Sequence, residues 1–412
     1  MFNANTPHIE NWNIASPRVL DSFFYTIILW GWFGYIFLAP IYIFDSGLPQ
    51  PADLLIFAVS ILAIGLYLIK CHVAFTRVFA TLLLMVAMFG IINLTYGLYY
   101  GDSRFFYAIL YYAFNAMVFG TTVILFKDAP KRTYQYARIA IIAALVLELI
   151  WVFIVPSNSI YRETGSFNNP NQLGYWAILA SACLLTLNYG RRMPIPDLFA
   201  IMICAYLVAE SLSRAAMISF ALIALSLFIS KSIPIIAKIG VIIIACLYLL
   251  FHATGAPSDR TIFNSMELVD KVAARLNMVG DNDPEIFEER GYQRLWEFPQ
   301  YLIYGAGEGA HWRFMDVLYA GRNISAGREI HSGIATIMFS YGVLGFALFA
   351  TFIFAIFQRA PPILWLSLAA VMAYGLTHQH VRFTGFWIYI GIAYGVTRYV
   401  LPLRNEVKNE PA

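Results

Sequence analysis

Charged residues are scarce in this sequence: Asp, Glu, Lys and Arg make up only 12% of its 412 residues. A soluble domain carries roughly 25% charged and about 45–50% apolar residues. Here hydrophobic residues reach 60%, and the mean hydropathy is +0.67. This composition excludes an ordinary soluble domain and indicates that lipid surrounds most of the protein.

Other features are missing as well. No basic block interrupts the chain, and a net charge of +3 is too small to indicate nucleic-acid binding. The four cysteines, Cys71, Cys183, Cys204 and Cys246, lie in or at the ends of apolar runs without metal-ligand spacing, so we interpret them as packing residues. No internal repeat of the kind common in transporters is visible. Residues 1–18 are polar and precede a span-length apolar run, which predicts an uncleaved first helix rather than a signal peptide.

Long apolar runs define the predicted architecture, because a helix needs about 20 apolar residues to cross the hydrocarbon core. Candidate spans lie near 21–44, 52–69, 75–98, 105–126, 134–155, 172–188, 195–211, 214–230, 234–251, 331–357, 362–378 and 384–401. We therefore predict an all-α polytopic membrane protein, a single membrane domain over residues 1–412 with about 12 transmembrane helices. The polar segment 252–330 is predicted to form one large loop with short helices, inserted between spans 9 and 10.

The short connections predict the orientation, because cytoplasmic loops carry an excess of Lys and Arg. Fifteen basic residues fall on one side: Arg18, Lys70, Arg77, Lys127, Lys131, Arg132, Arg138, Arg191, Arg192, Lys231, Lys238, Arg359, Arg398, Arg404 and Lys408. Only four fall in the opposite short loops: Arg104, Arg162, Arg214 and Arg382. This asymmetry predicts that both termini are cytoplasmic and that the large loop is periplasmic.

Ionisable residues gather at the predicted outer ends of the spans, where such groups are costly and usually functional. They are Glu148, Arg162, Glu163, Glu210, Arg214, His331, His378, His380 and Arg382, and the loop adds Arg290, Arg294 and His311. The planar fork of arginine suits a phosphate group presented at that surface. The alternative is that these side chains reach lipid headgroups or pair with nearby carboxylates.

Four segments, in chain order, carry a family resemblance. They are "YRETGSFNNPNQLGYW" (Tyr161 to Trp176), "SLSRAAMISF" with Arg214, "ERGYQRLWEF…YGAGEG", and "IHSGIATIMFSYGVLGF" with His331, Ser332, Gly342 and Gly345. Together they resemble the signatures of the O-antigen ligase and O-antigen polymerase superfamily over roughly 160–350. In many members a single loop arginine precedes the tryptophan by about four residues, whereas Arg290 and Arg294 stand six and two residues before Trp296. We favour Arg290, and Arg294 remains a competitor.

The resemblance implies a glycosyltransferase whose donor is a glycan on undecaprenyl diphosphate. Arg214 and Arg290 would stabilise the departing diphosphate, and His331 would act as base or orienting acceptor for the incoming hydroxyl. Substrate-binding roles fall to Arg162, Asn169, Asn171, Arg294 and Ser332. No metal or cofactor is required, and the pair Asp281 and Asp283 is interpreted as a turn rather than a metal site.

Within this class we favour a polymerase that joins lipid-linked repeat units at the bacterial inner membrane. The closest alternative is an O-antigen ligase that transfers the glycan to the lipid A core, and the more distant one is a lipid-linked oligosaccharide flippase. The expected partners are the lipid-linked donor, a glycan acceptor and membrane lipid, with a repeat-unit flippase and a chain-length regulator as candidate protein partners. No nucleic acid is expected.

The charge asymmetry yields a direct test of topology. Reporter fusions at Asp283 and at Arg404 are expected to report opposite compartments, with Arg404 in the cytoplasm. Reports from the same compartment at both positions would show that the number of spans is wrong.

Overall fold

A computed structural model describes residues 21–70, 76–155, 162–230, 291–314 and 329–404. Within these ranges the chain contains helices and no strands. The ninth predicted span, Arg290, the Asp281 and Asp283 pair and most of the predicted large loop lie outside the described residues.

The described helices are α1 (Ser22–Leu38), α2 (Pro51–Ile69), α3 (Arg77–Tyr100), α4 (Arg104–Asp128), α5 (Pro130–Ile154), α6 (Pro170–Leu187), α7 (Ile195–Ser211), α8 (Arg214–Ile229), the single turns α9 (Arg294–Glu297) and α10 (Tyr301–Tyr304), α11 (Gly333–Phe357), α12 (Pro362–Gly375) and α13 (Thr384–Gly395). Every predicted span except the ninth coincides with one of the long helices. The first is shorter than predicted: α1 ends at Leu38, because Pro40 has no amide hydrogen with which to continue the helix.

Six of these helices are long and apolar enough to cross a membrane: α2, α3, α4, α5, α11, and α13 with its continuation to Arg404. Large apolar side chains such as Phe153 and Phe199 are exposed on the outside of the bundle. At the centre, every residue of α6 from Leu173 to Leu187 is buried against neighbouring helices. An apolar exterior around a packed helical core defines an α-helical membrane protein.

Helix α11 is broken in the middle, at Gly342, which has φ 66° and ψ −175°. The break removes the helical amide partners of the Phe339 and Ser340 carbonyls. Two loop amides replace them: Ala306 N–H donates to Phe339 O and Gly307 N–H donates to Ser340 O, each at 2.9 Å. The segment that follows α10 is therefore hydrogen-bonded directly into the gap of α11.

Arg313 fastens the same loop to the ends of α3 and α4. Its guanidinium donates to the Ala306 carbonyl at 2.7 Å. Four aromatic rings surround it at 4.8 to 5.2 Å, namely Tyr96, Tyr100, Phe105 and Phe314. Cation–π contacts of this kind are worth most where the cation is removed from water. The loop is thus held at a fixed position over one end of the bundle.

Substitution of Gly342 by alanine tests this attachment. The added Cβ would lie 2.5 Å from the Ile303 carbonyl oxygen, at a φ that side-chain-bearing residues rarely adopt. We expect a loss of about 1–3 kcal/mol in the free energy of unfolding, with faster proteolysis in the 291–314 segment.

Gly65→Ala in α2 is the matched control, because nothing lies within 4 Å of its added Cβ. It should be neutral or slightly stabilising. Equal unfolding temperatures and equal proteolysis for the two variants in detergent would contradict the docking role of Gly342.

Candidate functional site

A cavity of about 650 Å³ lies at one end of the bundle, under the loop that Arg313 fastens. It is formed where α4, α6 and α13 begin and where α12 ends. Polar residues at these helix ends, such as Arg104 and Asn169, therefore line it. Its lining residues are Tyr42, Ser46, Gly47, Arg104, Tyr107, Ala108, Tyr111, Asn169, Asn171, Gln172, Tyr175, Glu308, Gly309, Ala310, His311, Trp312, Glu329, His331, Tyr374, His378, Gln379, Arg382 and Phe383.

Glu308 is the most completely enclosed acid of the cavity, with 1% of its surface exposed. It follows the glycine turn that fills the break in α11. Its carboxylate accepts hydrogen bonds from the hydroxyls of Tyr112 at 3.0 Å and Tyr341 at 2.8 Å. Its backbone amide donates to Asn93 Oδ1 at 2.7 Å. A buried carboxylate needs such partners, since an unpaired charge is very costly away from water.

Arg382, on the connection between α12 and α13, joins this acid to a second one. Its Nε donates to Glu308 at 2.5 Å, and its Nη1 donates to Glu329. Burial alone would lower the pKa of Arg382, but the two carboxylates outweigh it and raise that pKa well above its usual value. Burial likewise works against ionisation of Glu329, yet Arg382 beside it lowers the pKa of this carboxyl below its usual value. Arg382 and Glu329 are therefore both charged at neutral pH.

The lining is not strongly basic. Two carboxylates face the single guanidinium of Arg382, and Arg104, the other arginine among the described lining residues, pairs with Asp102 at 3.0 Å. Tyrosines and Trp312 make up much of the remaining wall. Carboxylates, amides and aromatic faces together suit a ligand rich in hydroxyl groups.

An apolar groove of about 660 Å³ adjoins the cavity. The two share six lining residues, which are Tyr42, Gly47, Tyr107, Tyr111, Arg382 and Phe383. The groove is also lined by Ile141 and Cys183 between the helices and by Leu54 and Leu110, whose side chains are exposed on the outside of the bundle. A cavity lined in part by polar groups thus adjoins an apolar groove of similar size.

Three residues predicted from the sequence line the cavity. His331 lies at its edge, is exposed, and is close enough for its charge to lower the pKa of Glu329. Asn169 caps α6 by accepting from Gln172 N–H at 3.1 Å. Asn171 lies two residues further, in the first turn of α6, and accepts from Arg162 at 2.9 Å. The structure brings these three together although 160 residues separate Asn171 from His331 in the chain.

The other predicted residues lie behind the lining or beside it. Ser332 is buried, caps α11 through Ala335 N–H and donates to the Gly375 carbonyl. Arg162 also donates to the Ser211 carbonyl at 2.8 Å, at the end of α7. Arg214 begins α8 just beyond it, half-buried, and its Nε has no hydrogen-bond partner among the described residues.

Arg294 is fully buried on α9 and contacts His311, not the cavity. Arg290 lies outside the described residues.

Sequence reasoning did not select Glu308, Glu329 or Arg382 as site residues. Arg382 was noted among the ionisable groups at the outer ends. Glu308 stands in a glycine-rich turn, where an acidic residue is unremarkable. The sequence does contain one signal for Glu329, which stands two residues before His331 and directly before the segment that carries the family resemblance.

Comparison with protein-family models and with curated proteins finds no match to this chain. The geometry of the cavity and groove, together with the quoted segments, therefore carries the functional argument.

Removal of the Glu308 carboxylate tests the charge network. Glu308→Ala leaves the partly exposed Arg382 without one of its two carboxylates, and it leaves two buried tyrosine hydroxyls without their acceptor. Leaving buried donors unsatisfied in this way costs about 1–3 kcal/mol in the free energy of unfolding. Glu329→Gln is the matched control. The side chain of Glu329 is 42% exposed, so water can replace part of its interaction with Arg382, and the loss in the free energy of unfolding should be smaller.

The measurement is thermal unfolding of both variants and of the double variant in detergent. A Glu308→Ala protein as stable as Glu329→Gln would contradict the central position of Glu308.

Proposed function

We propose that this protein is a membrane glycosyltransferase that polymerises undecaprenyl-diphosphate-linked repeat units on the periplasmic side of the inner membrane. In this proposal the chain crosses the membrane about twelve times, both termini are cytoplasmic, and the cavity opens to the periplasm. Its single strongest support is that a cavity with hydroxyl-compatible polar groups adjoins an apolar groove and shares six lining residues with it. A lipid-linked glycan needs both environments, one for the sugars and one for the prenyl chain.

The reaction assigns a task to each region. An acceptor hydroxyl attacks the anomeric carbon of the donor sugar, and the bond from that carbon to the diphosphate oxygen breaks. The electron pair leaves with the lipid diphosphate, and the hydroxyl proton passes to a base. His331 suits this last task, because it lines the chamber and an imidazole titrates near neutral pH.

The leaving diphosphate requires a cation that is not already neutralised. Arg382 is committed to two carboxylates and Arg104 to Asp102. Arg214 is the better candidate among the described arginines, since its Nε is buried without a hydrogen-bond partner. Arg162 connects the α7–α8 turn before Arg214 to Asn171 in the cavity wall. In this proposal Arg214 reaches the diphosphate from behind the cavity wall, since Arg214 itself lines neither the cavity nor the groove.

Variants at His331 and Arg214 test the proposal in cells whose polymer depends on this protein. His331→Ala is expected to lower the polymerisation rate by about 100- to 10,000-fold, the typical loss for a general base. Arg214→Ala should cost about 100- to 1000-fold through lost stabilisation of developing charge. Arg214→Lys should restore little, because an ammonium cannot reproduce the bidentate fork.

Arg192→Ala is the control, since Arg192 is an exposed arginine beyond the opposite end of α6. Membrane abundance and polymer length are measured on the same samples. Normal polymer from a well-expressed His331→Ala strain would refute the catalytic assignment. Transfer of preformed glycan to the lipid A core, without chain growth, would replace the polymerase with a ligase.

A further inference from the structure

His311 belongs to the loop that Arg313 holds in place, and it lines the cavity. The proposed reaction gives it no role. His311 opens the 3-10 turn His311–Phe314 and has 8% of its surface exposed. Two charged groups flank its ring: Arg294 lies within hydrogen-bond distance of Nδ1, and Glu329 lies 3.9 Å from Nε2. These contacts determine which of its nitrogens carries a hydrogen.

Arg294 fixes the tautomer. Its Nη1 lies 3.0 Å from His311 Nδ1, and a guanidinium has donors only, so Nδ1 must accept. Burial, together with the positive charges of Arg294, Arg382 and Arg313, outweighs the attraction of Glu329 and lowers the pKa of His311 to about 3. The ring is therefore neutral at physiological pH. Its one hydrogen is on Nε2, and Arg294 is held in place behind it over the Phe314 ring at 5.6 Å.

The Nε2 atom points at an anion that it does not reach. Glu329 Oε1 is 3.9 Å away, beyond hydrogen-bond distance, and Nε2 has no hydrogen-bond partner among the described residues. Glu329 cannot close the gap freely, because its other oxygen is held by Arg382. A buried donor and an acceptor held by Arg382 thus face each other at a distance too long for a direct hydrogen bond.

A hydroxyl group satisfies both sides at once. An oxygen placed about 2.8 Å from each of the two atoms subtends an angle of roughly 90° between them, within reach of a hydroxyl that accepts one bond and donates another. A phosphate oxygen does not fit this position, since it has no hydrogen to donate and would be repelled by Glu329.

We propose that His311 and Glu329 form a hydroxyl-binding subsite, in which His311 Nε2–H donates to a sugar hydroxyl and that hydroxyl donates to Glu329 Oε1. The identity of the ligand as a glycan rests on the proposed function. Arg294 is a positioning residue in this arrangement: it acts through the imidazole and does not contact the sugar. His331, two residues after Glu329, borders the same chamber.

The first arm of the test reads the imidazole directly. The full-length protein is labelled with ¹⁵N-histidine in lipid nanodiscs, and the His311 resonances are assigned by difference from His311→Gln. We expect a neutral ring with hydrogen on Nε2 at both pH 7.5 and pH 5.5. A ring with hydrogen on Nδ1, or one that becomes protonated between these pH values, would overturn the proposal.

The second arm identifies the ligand. The probes are undecaprenyl diphosphate alone and the glycan-bearing lipid extracted from cells that accumulate it with the His331→Ala variant. The Nε2–H resonance should shift with the glycan-bearing lipid and stay in place with the bare diphosphate. An equal shift with both probes would make this a phosphate site, and no shift with either would remove the subsite.

The third arm is kinetic. His311→Phe keeps the ring shape without a donor, so KM for the glycan-bearing lipid should rise about tenfold with little change in kcat, as for one lost hydrogen bond. His311→Gln, which retains a donor, should lie closer to the wild type. An unchanged KM in well-folded His311→Phe would contradict the subsite. Failure of the proposed function would appear separately, as wild-type protein that leaves the lipid-linked glycan unpolymerised while the tautomer of His311 is as expected.

Discussion

The break in α11 at Gly342 is the constraint on which the rest of the site depends. Backbone groups released inside a membrane bundle have to be satisfied by protein, because lipid offers no hydrogen bonds. The amides of Ala306 and Gly307 take this role for Phe339 and Ser340. These two hydrogen bonds therefore pair the carbonyls released by the break and set the position of the loop. Glu308 is the next residue along, and its place over the cavity follows from these bonds.

From Glu308 the charges extend outward in a chain. Arg382 joins it to Glu329, and Glu329 faces His311, whose tautomer is fixed by Arg294. Each member orients the next, so the polar wall is preorganised rather than assembled by the ligand. The arrangement also separates two kinds of recognition. Carboxylates and a neutral imidazole suit hydroxyl groups. Of the two arginines predicted from the sequence to stabilise the diphosphate, Arg214 lies elsewhere, at the start of α8, and Arg290 lies outside the described residues.

Much of the helical framework could be predicted from the sequence, because a span-length apolar run between polar connections has few other structures available. The break in α11 could not. "HSGIATIMFSYGVLGF" is mostly apolar with no proline, and in the sequence Gly342 is only one of the glycines of the motif. The break at Gly342 leaves room for Ile303 and Gly305, which belong to a separate segment of the chain. The pattern of apolar residues within one helix cannot predict such a contact.

Only part of the cavity lining could be predicted from the sequence. His331, Asn169 and Asn171 stand in recognisable segments at helix starts, and all three line the cavity. Glu308 and Arg382 are 74 residues apart and are related only by their ion pair. Arg294 was expected at the substrate, and its partner His311 was noted only for its charge. Pairings between distant residues cannot be read from local pattern.

The central claim is that one amphiphilic ligand spans the polar cavity and the apolar groove. Photo-crosslinking with undecaprenyl diphosphate that carries a diazirine near the diphosphate end of its prenyl chain tests it most directly. We expect labelling at the groove residues Leu54 and Leu110, displaced by unlabelled lipid. Met202 on α7 is as exposed as these two, at 62% against 63% and 65%, but lies outside the groove and should be labelled weakly. Equal labelling at all three positions, unaffected by competitor, would contradict the account.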